Sequence, residues 1–98
     1  MQRRAWFLRV REGKEEAYRR AHAAVWPELI AAARESGLRN HSCFLSGRNV
    51  MVYAEAEDID ATLDHLLKAD VKKRWDCAMS SLLEETDSPP FEEVFHFD

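Results

Sequence analysis

A histidine accompanied by two aromatic residues at four-residue intervals is the feature of this sequence best suited to chemistry. Tyr18, His22 and Trp26 recur at this spacing, so that neighbouring members share one face of a helix. Histidine can give or take a proton near neutral pH, while tyrosine supplies a hydroxyl and tryptophan a flat indole. A pocket lined by such groups would suit a carbohydrate, because axial hydrogens of a sugar stack on indole and its hydroxyls need polar partners. The alternative interpretation is that the three side chains only pack in the core.

Other candidate residues carry weaker signals. Trp75 and Asp76 are adjacent on a predicted helix, where an indole most often packs in the core and a carboxylate is most often exposed. His65 lies in a charged helix and is predicted to be a surface residue, and His96 falls in a predicted terminal strand. The sequence contains no glycine-rich phosphate loop, no GxSxG element and no HExxH pair, which narrows the possible activities.

Composition and charge limit the class of protein further. The 98 residues fit a single domain, residues 1–98, and their 14 Lys+Arg against 18 Asp+Glu give a net charge of -4, which does not suit a nucleic-acid backbone. Arg9 and Arg11 interrupt the apolar residues near the N-terminus, so no signal peptide is predicted, and no segment approaches a membrane-spanning length. We therefore expect a cytoplasmic protein with no nucleic-acid or membrane partner. Cys43 and Cys77 lack metal-ligand spacing and are predicted to pack as free thiols.

The first third of the chain predicts one strand followed by two helices. Residues 5–10 alternate two apolar sets, which suits a strand covered on both faces. Residues 14–25 change to helical spacing. Pro27 is well placed in the first turn of a new helix that continues to Ser36, and Gly37 is expected to end it.

The middle of the chain predicts a hairpin and a further pair of helices. Strand-like runs at residues 41–45 and 50–56 are joined by Ser-Gly-Arg-Asn, whose glycine and asparagine favour an antiparallel hairpin. Asp58 is a suitable N-cap for the next helix, and Asp70 is predicted to cap the helix that carries Trp75.

The C-terminal part completes an α+β, ferredoxin-like β-α-β-β-α-β order. A polar loop is predicted at residues 84–90 and a last strand at residues 94–97. Helices cover only one face of the antiparallel sheet in this arrangement, so apolar residues on the other face need a cover. The residues expected there are Phe7, Cys43 or Phe44, and Val52 or Tyr53. A second copy of the same sheet would supply the cover, so we predict a homodimer, a dimeric α/β barrel.

Several stretches together resemble the L-rhamnose mutarotases, in the same order and over nearly the whole chain. They are residues 18–22 (YRRAH), residues 25–29 (VWPEL), Arg74-Trp75 with Met79 after them, and residues 93–96 (EVFH). The combined pattern Y-x-x-x-H-x-x-x-W-P-E is the most specific part. The resemblance implies a dimeric barrel that interconverts the anomers of a monosaccharide, L-rhamnose or a related sugar, without a metal or cofactor.

The resemblance also implies roles for individual residues. His22 would be the catalytic acid that protonates the ring oxygen, and Tyr18 and Trp75 would hold the sugar. His41 and Asp76 stand where the better-known bacterial relatives carry a sugar-contacting tyrosine and a second tryptophan. Both can bind sugar hydroxyls, so both are expected in the substrate site. The two exchanges leave the preferred sugar open.

Two other functions remain compatible with the sequence. A cofactor-independent or haem-degrading monooxygenase would share the dimeric ferredoxin-like barrel and can also use a pocket histidine. A non-catalytic dimer that binds a small ligand would need His22 only for its structure.

Overall fold

Eight helices and strands follow one another in the computed structural model, which describes residues 1–98. They are β1 (Gln2–Val10), α1 (Glu15–Ala23), α2 (Pro27–Ser36), β2 (Arg39–Ser46), β3 (Asn49–Ala56), α3 (Ile59–Leu67), α4 (Asp70–Ser80) and β4 (Leu83–Glu84). This order confirms the predicted ferredoxin-like α+β fold. None of the helices is both long enough and apolar enough to cross a lipid bilayer.

The four strands form one antiparallel sheet in the order β2-β3-β1-β4. Trp6 and Cys43 both pair with Val52, while Phe7 and Phe44 both pair with Met51. Because successive side chains of a strand point to opposite faces, the first three residues share the face that the helices cover. Phe7, Phe44 and Met51 share the other, open face.

The core lies between the sheet and the helices. Alternate residues of β3 are almost inaccessible to solvent on this side, since Val50, Val52, Ala54 and Ala56 are each no more than 3% exposed. The core has two clusters, and the half-buried Trp6 packs against both of them. One cluster contains Leu38, Ala54, Ala56, Ile59 and Leu66, and the other contains Val10, Tyr18, Val50 and Val52.

The connection between α1 and α2 follows the proline and glycine signals. The first helix ends at Ala23, two residues earlier than predicted, and Pro27 begins the second helix. Gly37 ends that helix in the left-handed conformation, with a φ of 101°, and its N–H donates to the carbonyl oxygen of Arg34 at 3.0 Å. A side chain at this position would be strained, and its Cβ would lie 3.2 Å from Thr62 Oγ1.

One of the two predicted aspartate caps is confirmed and the other is wrong. The side chain of Asp58 accepts a hydrogen bond from the N–H of Ala61 at 3.2 Å. Asp70 is instead the first residue of α4, and the N-cap is Ala69, which makes no side-chain hydrogen bond. The Asp70 carboxylate pairs with Arg74 one turn along the helix, at 2.9 Å.

The predicted strand at residues 94–97 is wrong. The fourth strand is Leu83–Glu84, so it begins one residue before the predicted loop and includes the first residue of that loop. It pairs with Arg9 and Val10 of β1. Further along the edge of β1 the chain makes one isolated bridge, in which the Phe91 N–H donates to the Ala5 carbonyl oxygen at 2.8 Å. Residues 94–97 have no strand partner within the chain, so their apolar alternation does not produce a strand.

The prediction for the cysteines is half right. Cys43 and Cys77 are free thiols, but both are exposed and neither packs in the core. Cys43 lies on the helix-covered side of the sheet, where β2 leaves a gap beneath the helices.

Candidate active site

Tyr18 and His22 lie on the inner face of α1 and stack on each other. Their ring centroids are 4.1 Å apart and the planes differ by 27°. Nδ1 of His22 lies 3.0 Å from the backbone carbonyl oxygen of Tyr18. A carbonyl oxygen can only accept, so Nδ1 carries the hydrogen in this bond. The neutral ring therefore keeps Nε2 as a proton acceptor, and the protonated ring can donate from Nε2.

Trp75 from α4 closes the other side of the imidazole. Its indole meets His22 edge to face, with centroids 5.4 Å apart at 82°, and Trp26 in the same manner at 5.1 Å and 90°. The Trp75 residue is 8% exposed. The indole beside the histidine is therefore that of Trp75, whereas Trp26 supports it from behind and lines neither of the two cavities described below.

His41 lies at a bulge in β2. The register between β2 and β3 shifts by one residue between Arg39 and Ser42, and Asn40 in this bulge has a φ of 49°. Asparagine tolerates this left-handed conformation better than most residues, and its side chain donates to Glu55 at 2.7 Å. His41 shares the helix-covered face with Cys43, two residues further along β2, and its ring lies 6.4 Å from that of Trp6.

Two adjoining cavities lie between the helices and the sheet and share six wall residues. The smaller one has a volume of about 120 Å³, and its wall includes all five residues predicted for the site: Tyr18, His22, His41, Trp75 and Asp76. The larger one, of about 340 Å³, extends beneath α2 and α3 and is lined mainly by apolar side chains, including Val25, Leu29, Ile30, Leu63 and Leu66. The structure thus brings the predicted residues together around a space next to an apolar chamber.

The local environment keeps three polar side chains of the site uncharged at neutral pH. Burial first, and the neighbouring Cys43 thiol second, raise the pKa of Tyr18 far above its ordinary value of 10.0. Desolvation by the surrounding protein also raises the pKa of the Cys43 thiol, although the residue is exposed and although a hydrogen bond with Tyr18 and the charge of Lys72 oppose the shift. His41 retains some access to solvent, but crowding by protein lowers its pKa, and the charges of Lys72 and His22 lower it further.

Three of the six residues shared by the two cavities were not predicted from the sequence as site residues. Trp6, Cys43 and Lys72 line both cavities. Cys43 follows His41 by two residues on a strand, and Lys72 precedes Asp76 by one helical turn, so each shares a face with a predicted site residue. This spacing is the sequence signal that indicates Cys43 and Lys72 as wall residues.

The arrangement combines an apolar chamber, a stacking surface and a proton-transfer group. An imidazole with one nitrogen fixed and the other free can protonate and deprotonate a bound molecule. The un-ionised hydroxyl of Tyr18 can hydrogen-bond to it, and the indole can pack against its apolar face. Fold and cavity together define a small α+β domain with a pocket suited to acid–base chemistry on a polar, ring-shaped ligand.

The chain belongs to the L-rhamnose mutarotase family, since the sequence model of that family matches residues 3–97. It is accordingly an isomerase acting on carbohydrates. This membership confirms the resemblance noted from the sequence, and it does not favour the monooxygenase alternative.

Individual relatives agree with this membership. An L-rhamnose mutarotase of Lactiplantibacillus plantarum is 35% identical over 89 residues, which cover 85% of this chain and 86% of the relative. One from Burkholderia ambifaria is 35% identical over 72 residues, covering 72% of this chain and 69% of the relative. The crystal structure of an L-rhamnose mutarotase from Formosa agariphila shares the fold, with a TM-score of 0.83, 22% identity and complete coverage of both chains.

Proposed function

We propose that this protein interconverts the α and β anomers of L-rhamnose or a closely related 6-deoxyhexose, with His22 as the group that moves the proton. The observation that carries the proposal is the hydrogen bond from His22 Nδ1 to the Tyr18 carbonyl oxygen, at 3.0 Å. This bond fixes the ring and leaves Nε2 as the nitrogen available in the cavity. Tyr18, Trp75, His41 and Asp76 would hold the sugar around it.

The proposed reaction opens and recloses the sugar ring by proton transfer. The protonated imidazole of His22 gives the proton on Nε2 to the ring oxygen of the pyranose, and the bond between that oxygen and the anomeric carbon breaks. The anomeric hydroxyl releases its proton to water as the open-chain aldehyde forms. After rotation of the aldehyde, the ring recloses on either face and the reverse transfers restore the starting protonation state.

Proton transfer of this kind is sufficient as the main source of catalysis. A positioned acid or base contributes about 10²–10⁴-fold to a rate. Ring opening of a sugar involves no unstable carbanion, and the two anomers differ little in free energy. The reaction as proposed therefore needs no metal ion or organic cofactor.

We propose further that two copies associate through the open face of the sheet. Phe44 is 57% exposed and Met51 is 43% exposed on this face, next to Phe7. At the C-terminus, Val94, Phe95 and Phe97 are 84%, 78% and 82% exposed. Neighbouring apolar residues on an open sheet face are typical of interaction sites, and a two-fold axis would let the same surface cover itself.

We place the reaction in the cytoplasm. Both cysteines are free, which suits a reducing compartment.

Exchange NMR of ¹³C1-labelled L-rhamnose tests the assignment of the catalytic group. Transfer of magnetisation between the anomers should be faster with the protein than without it, and His22→Ala should lower the catalysed rate by about 10²–10⁴-fold. His65→Ala is the matched control, because His65 is exposed on α3 and lines neither cavity. A His22→Ala variant that retains the wild-type rate would refute the role of His22.

A further inference from the structure

The proposed proton transfer uses no charged side chain of the cavity walls, and Lys72, unlike Asp76, has no proposed contact with the sugar so far. Only Lys72 and Asp76 among the residues lining the two cavities belong to the Lys, Arg, Asp and Glu types. They lie one turn apart on α4, and Lys72 Nζ is 2.5 Å from Asp76 Oδ1. The Lys72 side chain is 25% exposed and the Asp76 side chain 47% exposed, so the pair lies at the rim of the cavity.

The location of Lys72 ties this pair to the rest of the site. Lys72 lines both cavities, and its positive charge acts on His41 and Cys43 of the opposite wall. Trp75, which supplies the stacking surface, lies between Lys72 and Asp76 along the same helix. A ligand packed on that indole would therefore meet an ammonium and a carboxylate at the same end of the cavity.

Neither charged group is saturated by the other. An ammonium has three donors and a carboxylate has about four acceptor positions, so one mutual hydrogen bond leaves capacity on both. Neighbouring hydroxyls of a sugar can each donate and accept, which matches a donor held beside an acceptor. Hydrogen bonds to charged groups are also about twice as strong as those between neutral groups.

We propose that Lys72 and Asp76 together bind two neighbouring hydroxyls of the sugar, Lys72 donating to one and Asp76 accepting from the other, which makes Lys72 a specificity-determining residue. The proposal deepens the proposed mutarotase function and rests on it. The two ends of the expected substrate differ in chemistry. A vicinal diol faces the charged pair, and a deoxygenated, apolar end faces the chamber beneath α2 and α3.

Affinity measurements on Lys72→Met test the proposal separately from turnover. The control is Lys73→Met, which removes the same charge from the next residue of α4, an exposed lysine that lines neither cavity. Binding of L-rhamnose, followed by NMR titration, should weaken about 10- to 100-fold in Lys72→Met, as expected for a lost hydrogen bond to a charged group. Affinity in Lys73→Met should stay within about twofold of wild type. Circular dichroism establishes that each variant is folded.

Deoxy sugars identify the contact itself. Among the monodeoxy analogues of L-rhamnose, one that lacks the hydroxyl bound by Lys72 should bind wild-type protein more weakly than L-rhamnose does. The same analogue should lose no further affinity in Lys72→Met, which is the signature of a direct pairwise contact. In exchange NMR, KM should rise in Lys72→Met while kcat changes little, because the lysine acts on binding.

The outcomes distinguish this proposal from the proposed function. If wild-type protein exchanges anomers and Lys72→Met binds L-rhamnose as tightly as wild type, the role of Lys72 is refuted and the mutarotase function stands. If wild-type protein binds the sugar through Lys72 without exchanging anomers, the function is refuted and the binding role stands. Tighter wild-type binding of a hexuronic acid than of L-rhamnose would show that Lys72 recognises a carboxylate, which overturns the diol proposal, as would the absence of any sugar binding.

Discussion

The two faces of the sheet differ in how completely the rest of the chain covers their apolar residues. On the helix-covered face, Val50 and Val52 are 1% and 3% exposed, whereas Met51 between them on the open face is 43% exposed. The same strand thus contributes to a finished interior on one side and to an uncovered surface on the other. All residues of the candidate site lie on the helix-covered side of the sheet, so a single chain forms the cavity. The open face is the part that a second copy would complete.

Among the tests that compare the two faces of the sheet, the largest effect is expected from a charge on the open face. Met51→Asp should weaken dimerisation by about 100-fold or more, because the dimer would bury an uncompensated carboxylate at a cost of about 3–5 kcal/mol, and 1.4 kcal/mol corresponds to about tenfold in affinity. Leu67→Asp is the matched control, since Leu67 is 52% exposed but lies on α3, away from this face. Analytical ultracentrifugation over a concentration series measures both. A monomeric wild-type protein, or a Met51→Asp dimer as tight as wild type, would refute the dimer proposal.

A smaller effect is expected from a substitution at Gly37, which ends α2 on the helix-covered side of the sheet. Gly37→Ala should lower the free energy of unfolding by about 1–3 kcal/mol, because the left-handed backbone is unfavourable for alanine. The new Cβ would also crowd Thr62 Oγ1 at 3.2 Å. In Gly13→Ala the backbone is again left-handed, but no atom lies within 4 Å of the added Cβ, so the loss should be smaller. If urea unfolding gives the two variants the same free energy of unfolding, the contact between the new Cβ and Thr62 has no energetic cost.

The smallest effect concerns the titration of His41 in the cavity wall. NMR should place the His41 pKa below the ordinary value of 6.5, because the surrounding protein desolvates the ring and the charges of Lys72 and His22 oppose its protonation further. Lys72→Met should raise this pKa partway back, whereas Lys73→Met should leave it unchanged. The unfolded chain binds the His41 proton more tightly than the folded protein does, so this residue lowers stability as the pH falls below 6.5. An unchanged titration in Lys72→Met would place its ammonium away from His41.

The sequence was sufficient for the elements whose signals are local. Pro27 and Gly37 mark the start and the end of α2, and the Asp58 side chain caps α3 as its type and position predict. The spacing of Tyr18 and His22 likewise predicted their shared face on α1, because four residues make one helical turn.

Features that depend on contacts between distant segments were not predicted. The last strand forms at Leu83–Glu84 because the edge of β1 is reached directly after α4, although the apolar alternation lies at residues 94–97. The bulge at Asn40 depends on the register between two strands, which composition does not encode. Lys72 shares a helical face with Asp76 in the sequence, but only the packing of α4 over the sheet shows that this face lines the cavity.

¹⁵N NMR of the His22 ring during titration with L-rhamnose tests the proposal that Nδ1 stays protonated and Nε2 faces the sugar. We expect an Nδ1–H tautomer for the neutral ring and a shift of the Nε2 resonance as the sugar binds, while the resonances of the exposed His65 do not move. A His22 ring whose nitrogens do not respond at saturating sugar, or whose neutral form carries its proton on Nε2, would contradict it.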